Sequence, residues 1–323
     1  MVRFYKYGSL VLLVVVLLIS CKYKHEQADK SSKHFKIHNK IILSHGALMR
    51  MDKYNSNFIE TRPVDVWLPQ GYRKQKKYSV LYMHDGQMLF DSTLTWNKQE
   101  WKVDEWASKL MNSKMTKDFI VVAIHNIREL RWFDLFPQKA FDFLDTSTRD
   151  SISLKMASEG SYKLNGDNYL KFVVEELKPI IDAEFSVYPN KEHTYIMGSS
   201  MGGLMSMYAI SEYPKVFAGA ACLSTHWPGT TPVKDEKQWS DAIFKYMGDR
   251  FPKAGSNSIY FDYGTKTLDA HYPKYASKVD SLFISKGYTQ KTFRNVLFDE
   301  TDHSENSWNK RLDVPLTFLL GNK

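Results

Sequence analysis

Read as apolar and polar positions, the chain from residue 39 onward alternates two kinds of segment. Short apolar runs read as strands: DVWLP (65–69), YSVLYMH (78–84), DFIVVAIHN (118–126), HTYIMGS (193–199), GAACLS (219–224), SIYFDYG (258–264) and FRNVLFD (293–299). Several are apolar on both faces, as in a parallel sheet covered by helices. Between them lie amphipathic stretches: WKVDEWASKLMNS, GDNYLKFVVEELKPIIDAEF, GGLMSMYAISEYP, YPKYASKVDSLFISKG and WNKRLDVPLTFLL. In the second, Leu170, Val173, Val174, Leu177, Ile180 and Ile181 follow helical spacing, and Pro179 is expected to kink it or end its first segment. The alternation predicts one α/β domain over residues 39–323, a mostly parallel central sheet with helices on both faces.

Two insertions interrupt the pattern. Residues 127–165 have no steady period but carry Trp132, Phe133, Phe136 and Phe141, which argue for a folded lid or pocket wall. Residues 225–257, beginning THWPGTTPVKDEKQW, form the candidate second wall.

The amino terminus is separate from the fold. Residues 1–20 carry two basic residues, then an apolar run shorter than the roughly 20 residues that span a bilayer, as a secretory signal does. LLISC resembles the bacterial lipoprotein lipobox, which implies cleavage before Cys21, its lipidation and a cell-envelope location. Residues 21–38 are expected to be a polar tether.

Composition narrows the function classes. With 43% hydrophobic and 14% aromatic residues, a large buried core is available and disorder is not the default. The formal net charge of +8 is spread along the chain, and RKQKK (73–77) and KDEKQ (234–238) read as solvated loops, so a nucleic-acid partner is not expected. With Cys21 lipidated, Cys222 has no intrachain partner and reads as a buried core thiol. The ten histidines show no metal-ligand spacing, and no metal or cofactor is expected.

Gly198-Ser199-Ser200-Met201-Gly202 matches G-x-S-x-G, with strand-like TYIM before it and helix-like GLMSMYAISEYP after it. That context presents the central serine, Ser200, as a nucleophile on a strained turn. A triad needs an imidazole to take the hydroxyl proton and a carboxylate to orient the imidazole, in the order Ser, acid, His. Of the downstream histidines, His226 leaves no room for an intervening acid and His271 precedes the last strand. His303, just past that strand, is the predicted base. Asp269, in the loop beyond Gly264, is the predicted acid, with Asp262 inside the strand as the alternative. The oxyanion donors are expected from the Met201 N–H and from Gln87 in MHDGQMLFD, where Gly86 lets the backbone turn inward. His84 and Asp85 would brace that loop.

VWLPQGY, VLYMHDGQMLFD, YIMGSSMGGLMSMYAISEYPKVFAGAACLS, YFDYGTKTLDAHY and DHSENSWNKRLDVPLTFLL together resemble the esterase family of α/β-hydrolases. It includes enterochelin esterases, S-formylglutathione hydrolases, feruloyl and acetyl-xylan esterases and mycolyltransferases. The resemblance runs from about residue 40 to the end. It implies the α/β-hydrolase fold and supports Ser200, Asp269 and His303 as the triad. HDGQ departs from the commoner His-Gly turn of the wider superfamily. The implied chemistry is acyl transfer from an ester through Ser200 to water. Arg128, Arg131, Trp132, Phe133 and Trp227 offer an aromatic and basic rim for a small-molecule or saccharide ester, either feruloylated or acetylated carbohydrate or a siderophore; the alternative is that these aromatics pack the long loop. The alternatives are an acyltransferase with the same triad and a non-catalytic binding lipoprotein.

Overall fold

The computed structural model describes residues 32–158, 163–230, 236–255 and 257–322. The expected signal segment and Cys21 lie outside these residues. In chain order the strands are β1 (Lys36–Ile37), β2 (Ala47–Met51), β3 (Val64–Leu68), β4 (Ser79–Met83), β5 (Phe119–Ile124), β6 (Thr194–Ser199), β7 (Gly219–Leu223), β8 (Ser258–Tyr263) and β9 (Phe293–Leu297). The helices are α1 (Val103–Asn112), α2 (Arg131–Leu135), α3 (Thr146–Ser158), α4 (Gly166–Lys171), α5 (Lys178–Glu184), α6 (Met201–Glu212), α7 (Glu236–Arg250), α8 (Pro273–Ser285), α9 (Glu305–Asn309) and α10 (Asp313–Leu320).

All strands join one sheet in the order β1-β2-β3-β5-β4-β6-β7-β8-β9. From β5 to β9 every pairing is parallel, and β1, β2 and β3 continue the sheet antiparallel at one edge. Alternate residues of each strand enter opposite cores, as a period of two requires. Val80, Tyr82, Ile120, Val122 and Ile196 pack with α4, α5, α6 and α8. Leu81, Met83, Phe119, Val121 and Met197 pack on the other face with α1 and α10. Cys222 is a free thiol buried in the first core. The mostly parallel α/β sheet with helices on both faces, expected from the alternation, is therefore present.

Local differences from the sequence reading have local causes. α4 and α5 are one continuous helical run, joined by a π-helical turn at Phe172–Leu177. Pro179 has no N–H to donate, and the widened turn just before it lets the helix continue. WNKRLDVPLTFLL is split between α9 and α10. Pro315 falls in the first turn of α10, where a missing N–H is harmless, whereas one helix from Glu305 onward would place it in the interior.

The end of the segment read as a tether is packed. Phe35 is fully buried, with its ring edge-on to Phe185 at 5.3 Å. Ser32 Oγ donates to Glu184 at 2.5 Å, and the His34 ring pairs with the same carboxylate. A lone Phe among charged residues leaves no periodic signal, so only its pocket reveals it. Among the described residues, both cores are drawn from Phe35 onward. Phe35→Ala should therefore cost about 3 kcal/mol in the urea unfolding free energy. A change within about 0.5 kcal/mol, the range of surface substitutions, would mean that this segment is not part of the fold.

Candidate active site

β4 is flanked by β5 on one side and β6 on the other, so the chain winds away from it in both directions. In such sheets the crevice beyond the carboxyl ends of the diverging strands is the ligand site. His84 follows β4 at that crevice, and Ser200 follows β6.

Ser200 sits between β6 and α6 at φ 57° and ψ −121°. A Cβ on Gly198 would lie 2.8 Å from the Gly202 carbonyl, and one on Gly202 would lie 3.2 Å from His84 Cβ. Strand, helix and the β4 loop therefore meet too closely for side chains at either glycine. Eight non-glycine residues among those described have positive φ, and Asp85, Ser200, Ser224 and Thr267 are four of them. Of these, Ser200 has an uncommon backbone, outside the left-handed helical region that Asp85 occupies.

Asp269 is fully buried and is bound from three sides. Gly264 N and Ser224 Oγ each donate to Oδ2 at 2.6 Å, and His303 Nδ1 lies 2.5 Å from Oδ1. A carboxylate can only accept, so Nδ1 carries the hydrogen and Nε2 is left as the basic nitrogen. Thr267 Oγ1 accepts the His303 backbone N–H at 2.9 Å. Tyr272 and Trp308 flank the imidazole edge-on at 5.9 and 5.1 Å. Ser200 is tied to the same cluster through the end of β7: its N–H donates to Leu223 O at 2.9 Å, and the next residue is Ser224.

Asp262, the alternative acid, has a different occupation. Its Oδ1 accepts from Arg311 Nη2 at 2.9 Å and from Ser224 N at 3.0 Å, and Tyr260 OH donates to Oδ2 at 3.1 Å. Burial raises its pKa despite Arg311. Ser224, Tyr272, Trp308 and Arg311, which hold this cluster together, carry no motif that sequence reading could use.

The match to known proteins fits this arrangement. Residues 56–319 match the family described as "Putative esterase". The chain belongs to that family. A curated relative, an endo-1,4-beta-xylanase/feruloyl esterase of Xylanibacter ruminicola, is 26% identical over 228 residues, 67% of this chain. The chain spans 26% of that relative's length. Among solved structures, a ferulic acid esterase superposes with a TM-score of 0.60 at 17% identity, covering 85% of this chain and 98% of the other. The enterobactin esterase of Shigella flexneri also gives 0.60, at 14% identity, covering 84% of this chain and 59% of the other. At these identities the superpositions speak for the fold.

This family member supports its elbow with a second polar cluster. Asp85, at φ 57°, accepts from Arg131 Nε and Nη2, both at 2.8 Å, and from Asn126 Nδ2 at 2.6 Å. Burial opposes the Asp85 charge, but Arg131 and Asn126 hold its pKa below the usual carboxylate value. Gln87, in a 3-10 turn, accepts the Asn126 N–H on Oε1 at 3.1 Å, so its side chain anchors the loop. Met201 opens α6, where the first N–H groups have no helical partner.

The expected rim is largely structural. Arg131 is held by its bidentate pair with Asp85, and 29% of its side chain remains exposed. Trp132 donates from Nε1 to Gly229 O at 2.9 Å and packs on Phe133, Phe136 and Trp239. It thereby joins the two insertions into one wall. Trp227 is not at the rim: it is buried, stacked on Phe244 at 5.0 Å and against Phe261. Tryptophan buries more apolar area than most residues, and here core packing claims it.

His84 is buried against the elbow. Its Nδ1 bonds Tyr169 OH at 2.8 Å, and its buried Nε2 has no partner among the described residues. Burial lowers its pKa to about 4. The unfolded chain takes up this proton near pH 6.5, the fold only near 4, so stability should fall as pH drops through that window, by about 3 kcal/mol in all. His84→Gln should flatten the fall in urea midpoint between pH 7 and 4.5. An unchanged slope would assign the acid sensitivity to other groups.

Proposed function

We propose that this protein is a serine carboxylic-ester hydrolase working through Ser200, His303 and Asp269. The observation that carries the reading is the Asp269–His303 contact, made by a buried carboxylate whose other oxygen is already fixed by Gly264 N and Ser224 Oγ. An acid restrained in this way can hold the imidazole in one tautomer and stabilise the imidazolium that forms.

In the proposed reaction His303 Nε2 accepts the Ser200 hydroxyl proton as Oγ bonds the ester carbonyl carbon. The carbonyl oxygen becomes an oxyanion, met by the Met201 and Gln87 backbone N–H groups. His303 returns the proton to the departing alcohol, leaving an acyl-enzyme. Water, deprotonated by His303, then releases the acid and restores Ser200. Asp85, Arg131 and Asn126 keep the Gln87 loop in place throughout.

The proposed substrates are esters of carbohydrate, feruloyl or acetyl. This choice draws on the Xylanibacter ruminicola relative, a xylanase/feruloyl esterase. The exposed part of Arg131 and the partly buried Trp132 are the surfaces proposed to meet the substrate beside the elbow. The proposal also places the protein at the bacterial cell envelope, anchored by lipid on Cys21. That part rests on the LLISC sequence, and palmitate labelling of the full chain that disappears in Cys21→Ala would support it.

Hydrolysis of p-nitrophenyl acetate and methyl ferulate is expected from the parent and should vanish in Ser200→Ala and His303→Ala. Asp269→Asn should lower kcat about 10⁴-fold with the fold intact. Asp262→Asn should instead destabilise by about 3 kcal/mol or more, because Arg311 is left buried without its counter-charge. If Asp262→Asn removes activity without loss of stability and Asp269→Asn does neither, the acid is misassigned.

A further inference from the structure

The loop RKQKK (73–77), mostly exposed as its composition predicts, also lines a cleft. At the amino-terminal ends of β4, β5 and β6, opposite the Ser200 end of the sheet, lies a cavity of about 930 Å³. Arg73, Lys76, Lys77, Lys117, Tyr188 and His193 are among its lining residues. Asp118 is the one carboxylate in the lining, and it is paired with Lys76. Arg73 and Lys77 make no ion pair among the described residues. Cationic side chains of one sign gathered in a cleft concentrate the field toward an anion.

The cleft is held in shape by its aromatic residues. Tyr72 and Tyr78 pack at 4.9 Å, Tyr78 OH accepts the Arg73 N–H at 3.1 Å, and Tyr72 OH accepts the Ser186 N–H at 2.6 Å. His193 stacks on Tyr188 at 4.2 Å and bonds Ser79 Oγ at 2.8 Å through Nδ1. Ser186 Oγ also donates to Lys74 O at 2.8 Å.

The same strip of chain receives the amino terminus. Ser32 and His34 bind Glu184, and Phe35 packs on Phe185, immediately before Ser186. The described chain therefore begins beside the basic loop. Cys21 lies eleven residues before Ser32, a reach of at most about 40 Å when extended. Lys22, Lys24 and Lys30 lie along that stretch, with Glu26 and Asp29 between them.

We propose that the Arg73–Lys77–Lys117 cleft docks on the anionic phospholipid headgroups of the membrane that holds the anchor, turning the Ser200 edge of the sheet outward. The proposal rests on the lipidation of Cys21. A lipid on a long tether fixes distance but not orientation, and a basic face beside the point of entry supplies the orientation. The occupant is a bilayer surface because the cleft adjoins the anchored end and its cations belong to a surface loop.

The test uses residues 32–323, which hold both cores and lack the anchor, so it does not depend on Cys21. Co-sedimentation is measured with phosphatidylglycerol/phosphatidylcholine vesicles and with pure phosphatidylcholine vesicles, for the parent and for Arg73→Glu/Lys77→Glu. The parent should bind only the anionic vesicles and release as salt rises. The double variant should bind at least tenfold more weakly, with unchanged melting and unchanged ester hydrolysis. Equal binding to both vesicle types, undiminished binding by the double variant, or release by inorganic phosphate at constant ionic strength would overturn the proposal. Palmitate labelling of the full chain reads the anchor separately, so a failed cleft and a failed anchor give different results.

Discussion

The close approach of β6 and α6 at Gly198 and Gly202 is the constraint to which the rest of this site answers. With no Cβ at either position, the backbone turns sharply enough to hold Ser200 at a positive φ. The space this leaves is filled by His84, buried as the neutral base its lowered pKa describes. A protonated imidazole there would have no carboxylate directly bonded to it, so burial favours the neutral form. Tyr169, from the helical run beyond the first insertion, holds His84 by its hydroxyl and so links the elbow to the wall.

Two aspartates from one strand and its following loop divide the electrostatic work. Asp262 lies within β8 and neutralises Arg311 in the interior, where an unpaired charge of either sign would be costly. Asp269 lies seven residues later, beyond Gly264, and reaches His303 with one oxygen while donors from Gly264 and Ser224 fix the other. Ser224 belongs to both arrangements: its backbone serves Asp262 and its hydroxyl serves Asp269, while Trp308 and Arg311 donate to that hydroxyl. The two carboxylates are therefore held by one framework, and the framework needs β7, β8 and α9 in their final register.

The insertions show why aromatic residues mislead a linear reading. Trp132, Phe136 and Phe141 of the first insertion converge on Trp239 of the second. From sequence alone an aromatic in a loop can be a ligand surface or a seam between loops; these meet in a seam, and Trp132 within it is only partly buried. Arg131, read as a rim cation, is also the partner of Asp85, because the loop after β4 places a buried carboxylate within its reach. β1 and β2 went unread for a related reason: short antiparallel edge strands with mixed polarity carry little periodic signal.

By itself the sequence determined what depends on local order. The alternation of apolar runs and amphipathic stretches specified a doubly wound α/β sheet, because burial on two faces and on one face leave different periods. The glycines around Ser200 specified a tight strand-to-helix turn, because only a missing Cβ permits that approach. The tertiary structure alone decided which aspartate meets His303, whether Trp227 faces solvent or core, and what Arg131 is paired with. Those outcomes depend on distances between segments tens to hundreds of residues apart, set by the packing of whole strands and helices and not by the composition of any one loop.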